Sequence, residues 1–286
     1  MTTATFTHTE NLTVQGPSAR FTYRRTGPRG GVPLVLLHRF RATIDWWDPE
    51  FVEVLARDRD VIAFDNVGIG YTDGEPATTI EAFAAGTIEF IQSLGLSEVD
   101  LLGWSFGGVV AQGVTMARPD LVRKLVVAGS GSGVSPAVPP MTEKVLGLMA
   151  SPASGNSRED MLFLFYPETP QAQALGHQHF DKVEAATPEG APAVSEEAAQ
   201  GQLQATLAAL STPWDSVTEA LTTIKQPVLY ANGMHDVMIH PMASYSAVEH
   251  LPNATLLLYS DAGHAFLFQH LNAFATEVAN FLGLPV

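Results

Sequence analysis

Residues 99–108 read Val99-Asp100-Leu101-Leu102-Gly103-Trp104-Ser105-Phe106-Gly107-Gly108. An apolar run leads into Gly-x-Ser-x-Gly, and a helical pattern, Gly108 to Ala117, follows at once. Strand, sharp turn and helix is the setting that a nucleophile elbow needs. Such a turn holds its serine in a strained backbone conformation, so its neighbours must be small. Gly103 and Gly107 meet that need, and Gly108 lets the helix pack close to the sheet. The helix that follows aims its N-terminal N–H groups and positive dipole end at Ser105, where they favour a developing oxyanion. An incidental serine in a Gly-rich turn is the plainer reading of the same letters, and the flanking strand and helix weigh against it.

Similar apolar, β-branched-rich runs recur on either side: Leu34 to Leu37, Val61 to Phe64, Leu125 to Ala128, Val228 to Ala231 and Thr255 to Tyr259. They lack polar alternation, as strands buried on both faces do. Amphipathic stretches such as Thr79 to Leu94 and Ala265 to Leu282 lie between or after them. The repetition predicts an α/β fold with a mostly parallel sheet flanked by helices. Phe6 to Val14 and Ala19 to Arg24 alternate instead and read as an edge hairpin. From about Val134 to Thr223 no such strand appears. That interval opens on a Pro-rich stretch and reads as helices broken by Pro and Gly, since a structureless loop of this length is improbable. The expected division is a core of residues 1–133 and 224–286 with a helical cap, 134–223, inserted between them.

The totals narrow the function. The chain has 286 residues, 46% apolar and only 16% charged, the balance of a large buried core. Acidic residues outnumber basic ones 30 to 15, for a formal charge of −15. With no dense Lys/Arg cluster to reverse that locally, nucleic-acid binding is not expected. The absence of cysteine excludes disulfides, thiolate catalysis and Cys-ligated metals. No apolar run reaches the roughly 18 residues that span a bilayer, so no membrane partner is expected. Met1 to Glu10 is polar and Thr-rich, without a secretory pattern, and the expectation is a cytoplasmic protein.

A serine hydroxyl is a poor nucleophile unless a base takes its proton. Asp261-Ala262-Gly263-His264 follows the last strand-like run, so His264 stands at a strand end and is the expected base. His177 and His179 lie in the cap at i, i+2 spacing, and His8, His235, His240, His250 and His270 lack that placement; these are read as surface or structural residues. The orienting carboxylate should end another strand. Asn232-Gly233-Met234-His235-Asp236 follows Val228 to Ala231, and Asp236 is the only Asp or Glu between Pro227 and Tyr245. A helix cap or turn is the plainer reading of Asp236. The segment after Leu125 to Ala128, Gly129-Ser130-Gly131-Ser132-Gly133, has no carboxylate. The order Ser105, Asp236, His264 is the one an α/β-hydrolase predicts.

On these pieces the chain resembles the α/β-hydrolase superfamily, within its branch of capped esterases, lactonases and cofactor-free haloperoxidase-like perhydrolases. The matching segments also include Leu34 to Phe40 and the turn Asp65-Asn66-Val67-Gly68-Ile69-Gly70, for which the resemblance implies a structural role. It implies an oxyanion hole from the backbone N–H groups of Phe106 and Phe40, no cofactor and no metal. One loop departs from the pattern: relatives usually carry His-Gly, and here stands His38-Arg39-Phe40-Arg41. Glycine permits φ > 0, a conformation Arg39 would have to tolerate or avoid. Arg39 or Arg41 reaching the pocket would bind an anionic or carbonyl group; the plainer reading makes both surface charges.

The pocket is expected between the strand ends and the cap. Trp104, Phe163, Phe165, Phe266 and Arg41 are the expected substrate-binding side chains, with Phe40 and Phe106 beside them, although aromatics of this kind also simply fill cores. They imply an apolar small-molecule ester or lactone as the partner. Trp46 and Trp47 are assigned to packing, and a homo-oligomer is left open. The expected chemistry is acyl transfer through Ser105. Its rivals are perhydrolysis at the same site, carbon–carbon bond hydrolysis, and a non-catalytic ligand receptor on the same scaffold.

Overall fold

In the computed structural model, which describes residues 6, 9–151 and 157–283, eight strands form one sheet in the order β1-β2-β4-β3-β5-β6-β7-β8. The strands are β1 (Leu12–Gln15), β2 (Arg20–Thr26), β3 (Leu34–Leu37), β4 (Val61–Phe64), β5 (Val99–Trp104), β6 (Val122–Ala128), β7 (Val228–Gly233) and β8 (Ala254–Tyr259). β1 pairs antiparallel with β2, and β2 antiparallel with β4; β3 to β8 are parallel throughout. The expected edge hairpin is therefore present, but its first strand begins at Leu12. Residues 7 and 8 of the stretch from Phe6 lie outside the described residues.

The missing polar alternation has a direct cause. In β3, Leu34 and Leu36 enter the core on one face of the sheet while Val35 and Leu37 enter the core on the other. Successive side chains of a strand point to opposite faces, so a strand covered on both must be apolar at every position. Helices α1 (Pro49–Leu55) and α11 (Leu271–Gly283) cover the first face with Phe51, Phe274 and Val278. Helices α2 (Ile80–Ser93) and α3 (Phe106–Ala117) cover the second with Phe83, Phe90, Val110 and Val114. β8 departs from expectation. It is an edge strand with no neighbour beyond it, and Thr255 and Leu258 are exposed. An unbroken apolar run thus fails to distinguish a central strand from this edge.

Between β6 and β7 the described chain is helical without a strand: α4 (Glu143–Ala150), α5 (Arg158–Phe165), α6 (Pro170–Ala186), α7 (Glu196–Leu210) and α8 (Trp214–Leu221). Thr142, Ser157, Thr169 and Ser195 cap the first four by accepting a backbone N–H three residues on, which satisfies donors the helix leaves orphaned. After β7 come α9 (Pro241–Val248) and, after β8, the short α10 (Phe266–Gln269) ahead of α11. No helix among the described residues is long and apolar enough to cross a membrane.

Candidate active site

Parallel strands bring their C-terminal ends to one edge of the sheet, and the loops after β3, β5, β6, β7 and β8 meet there. β5 runs directly into Ser105, whose backbone sits at φ 55 and ψ −120. A β-carbon on Gly103 would lie 2.2 Å from the Gly107 carbonyl oxygen, and one on Gly107 would lie 2.2 Å from that of Leu37. Only glycine fits at either position, because the obstacles are backbone. Ser105 N–H donates to the Ala128 carbonyl at 2.8 Å, which pins the turn to β6. Strain of this kind costs on the order of 1–3 kcal/mol and persists because the surroundings over-determine it.

His264 and Asp236 arrive on adjacent strands. The loops are laced together: Met234 N–H donates to the Tyr259 carbonyl and His235 N–H to that of Ala262, each at 2.9 Å. Asp236 Oδ1 accepts the N–H groups of Met238 (2.9 Å) and Ile239 (2.8 Å), leaving Oδ2 to face His264 Nδ1 at 2.7 Å. Both side chains are buried. A carboxylate on Nδ1 holds the proton there, so Nε2 carries the lone pair, which is the tautomer a general base requires. Nε2 is buried and has no hydrogen-bond partner among the described residues. The imidazole packs against both Trp104 and Phe165, with ring centroids 5.7 and 5.5 Å away, and Trp104 Nε1 donates to the His264 carbonyl at 3.2 Å.

Ser105 and His264 line one partly open cleft. Its remaining wall comes from the loop after β3 (Arg39, Phe40, Arg41), from α4 and α5 (Leu148, Met149, Met161, Leu164, Phe165), and from Met238 and Ile239 behind Asp236. Apart from the two arginines the wall is largely apolar. The backbone N–H groups of Phe106 and Phe40 make no hydrogen bond among the described residues.

Several expectations for the wall need correction. Phe163 is turned away from the cleft and carries Lys144 Nζ 3.4 Å above its ring. The helix explains it: Met161, Leu164 and Phe165 share one face at i, i+3, i+4, and Phe163 falls outside it. Phe266 packs between Tyr259 and Phe274, at 5.3 and 5.0 Å, within the core. Trp104 packs against the His264 ring and does not line the cleft. The Phe106 side chain packs edge-on against Phe83 on the other side of the turn. Phe165, Arg41 and Phe40 do line it.

The loop in place of His-Gly resolves its conformational problem two residues along. Arg39 avoids positive φ, and Arg41 adopts it at φ 56. Arg41 is held there by its N–H to Gln202 Oε1 (2.9 Å) and by Nη1 to the Ser151 carbonyl (2.7 Å). Arg39, read at its plainest as a surface charge, is only 6% exposed.

Sequence reasoning missed the polar groups packed beneath this loop. Asp48 caps α1 through Oδ1 and reaches His179 Nδ1 with Oδ2 at 2.9 Å. His179 stacks on Phe268 at 4.1 Å, and burial pushes its pKa down despite Asp48. His38 accepts the Arg39 N–H on Nδ1 at 2.7 Å and lies against Trp47 at 4.4 Å. Burial and the adjacent Arg39 charge push its pKa well down. Asp48 and His179 are 131 positions apart, and no local signal joins them.

The family profile described as alpha/beta hydrolase fold matches residues 32–271, and the chain belongs to that family. It is 29% identical over 271 residues to a poly(3-hydroxyalkanoate) depolymerase of Ectopseudomonas oleovorans, covering 90% of this chain and 88% of that one. It is 28% identical over 283 residues to a non-heme chloroperoxidase of Streptomyces lividans, covering 91% and 95%. An alpha/beta hydrolase fold protein from Chitinophaga pinensis superposes with a TM-score of 0.86 at 27% identity, covering 98% of this chain and 99% of that one. A match at 28% identity to polyketide synthase ThaQ of Burkholderia thailandensis spans 11% of that much longer chain.

Proposed function

We propose that this protein is a serine hydrolase that cleaves a carboxylic ester or lactone of a small molecule with an apolar body, through an acyl-enzyme on Ser105. One observation carries the reading: the buried Asp236–His264 hydrogen bond leaves Nε2 without a partner in a cleft it shares with a serine on a strained turn. The hydrolysable polyester in the name of the depolymerase relative agrees with this chemistry.

Ser105 Oγ bonds to the substrate carbonyl carbon as its proton passes to His264 Nε2. The carbonyl electron pair moves onto oxygen, where the N–H groups of Phe106 and Phe40 receive it, each such donor being worth about 3 kcal/mol. Asp236 stabilises the imidazolium. The bond to the leaving oxygen breaks as that oxygen takes the proton from Nε2. Water then gives a proton to Nε2 and attacks the acyl carbon, and Ser105 departs with that proton, releasing the acid. Residues 134–223 serve as the cap, with α4 and α5 forming the roof over the serine. A second reading draws on the chloroperoxidase relative: hydrogen peroxide in place of water would release a peracid from the same acyl-enzyme.

A p-nitrophenyl ester chain-length series and a lactone panel test this with wild type and Ser105→Ala. The expected loss in kcat is on the order of 10⁴-fold or more. Turnover that persists unchanged in the mutant removes the mechanism. Peracid formation measured beside acid release separates the two acceptors.

A further inference from the structure

We propose that Arg39 anchors a carboxylate on the acyl part of the substrate, so that this site takes acidic esters or lactones such as half-esters of dicarboxylic acids. The proposal rests on the serine-hydrolase reading and names its substrate class. Arg39 is 6% exposed and has no carboxylate partner among the described residues. Arg24, buried to the same degree, stands 2.5 Å from Asp45. Where acids outnumber bases 30 to 15, an arginine sealed inside without one is the exception. Burying an unpaired charge is costly, and an incoming anion relieves that cost.

The position of the guanidinium suits the role. It lies over Trp46, Phe165 and Trp104, at 4.9, 5.0 and 5.8 Å from the ring centroids. Its N–H groups are the part that matches a carboxylate in a planar, bidentate pair. They are lightly used: Nη1 donates to the Phe40 carbonyl at 2.8 Å, and Nη2 meets only the Met161 sulfur at 3.9 Å. Arg39 lines the same cleft as Ser105 and His264, and so do Met161 and Phe165 against its side chain. Among the described residues, none lining that cleft is acidic, and Arg41 adds a second guanidinium whose Nε is buried without a partner. Nearby His38 and His179 are held toward their neutral forms by burial, so they neither compete for the anion nor replace the charge. Burial also pulls the Arg39 pKa down to about 9.

The test compares p-nitrophenyl hemisuccinate, hemiglutarate and hemiadipate with the neutral butyrate, valerate and hexanoate of matching length. In wild type the half-ester of best length should exceed its neutral partner in kcat/KM by about tenfold or more, and Arg39→Met should reduce that ratio by a similar factor. Arg39→Lys, which keeps the charge without the fork, should fall between. A wild type that prefers neutral esters, with a ratio unchanged in Arg39→Met, overturns the proposal while leaving the serine mechanism standing. Calorimetric binding of glutarate and valerate to Ser105→Ala, with and without Arg39→Met, reads the anchor independently of turnover. Glutarate should bind more tightly only when Arg39 is present, and equal affinity in the two backgrounds overturns the anchor. Should Arg39→Met fail to fold, the same comparison with Arg39→Lys decides.

Discussion

Ser105 and Arg41, the non-glycine residues with positive φ among those described, both line the cleft. Strain at a functional site survives because neighbours on several strands hold it. A different tension is stored at Asp65, at the end of β4. Its carboxyl accepts the N–H groups of Ile44 (2.8 Å) and Tyr71 (3.0 Å), yet burial outweighs these bonds and raises its pKa to about 7. The folded value lies above the unfolded one, near 3.9. Its contribution to stability is therefore complete below about pH 4 and is lost as pH rises through about 7, an effect on the order of 4 kcal/mol at most. The advantage of wild type over Asp65→Asn in urea midpoint should accordingly shrink between pH 5 and pH 8. A constant difference across that window would contradict the assignment.

Elements differ in how tightly their glycines are bound to the fold. A β-carbon on Gly107 would meet the carbonyl oxygens of Leu37 and His38 at 2.2 and 2.7 Å, so Gly107→Ala should destabilise by about 3 kcal/mol or more, read as a lower urea midpoint. Gly147, inside α4, has nothing within 4 Å of such a carbon, and Gly147→Ala should stabilise by roughly 0.5–1 kcal/mol. The same contrast explains what the sequence discloses. The elbow is legible because close backbone approach leaves glycines at fixed spacing around Ser105. Asp236 and His264 are legible because each follows a short apolar, strand-like run. The facing of single rings is not: Phe163 and Phe165 are two residues apart on one helix, and only the packing of α5 decides which meets the cleft. Nor is the burial of Arg39, since an excess of acid elsewhere suggests a surface partner that the fold does not supply. β8 read as a strand buried on both faces because an apolar run records hydrophobicity and not the number of neighbours.

At the scale of the molecule, a formal charge of −15 surrounds a cleft whose fixed charges are two arginines. An anionic substrate is repelled at long range and welcomed at contact. Salt screens the first effect over about 10 Å at 0.1 M and barely touches the second. Raising ionic strength should therefore increase kcat/KM for a half-ester while leaving that of a neutral ester of equal length nearly constant. A decrease for the half-ester would mean that exposed cations, and not the buried pair, govern capture.

The carbonyl of Phe165, the last residue of α5, accepts the Ala265 N–H at 3.0 Å and would lie 2.6 Å from a β-carbon on Gly263. The roof is thereby stitched to the backbone on both sides of His264. Transplanting this insert into another scaffold is consequently not like exchanging a hinged lid: a chimera must carry the end of α5 and residues 263–265 as one graft, or it will misalign its own imidazole.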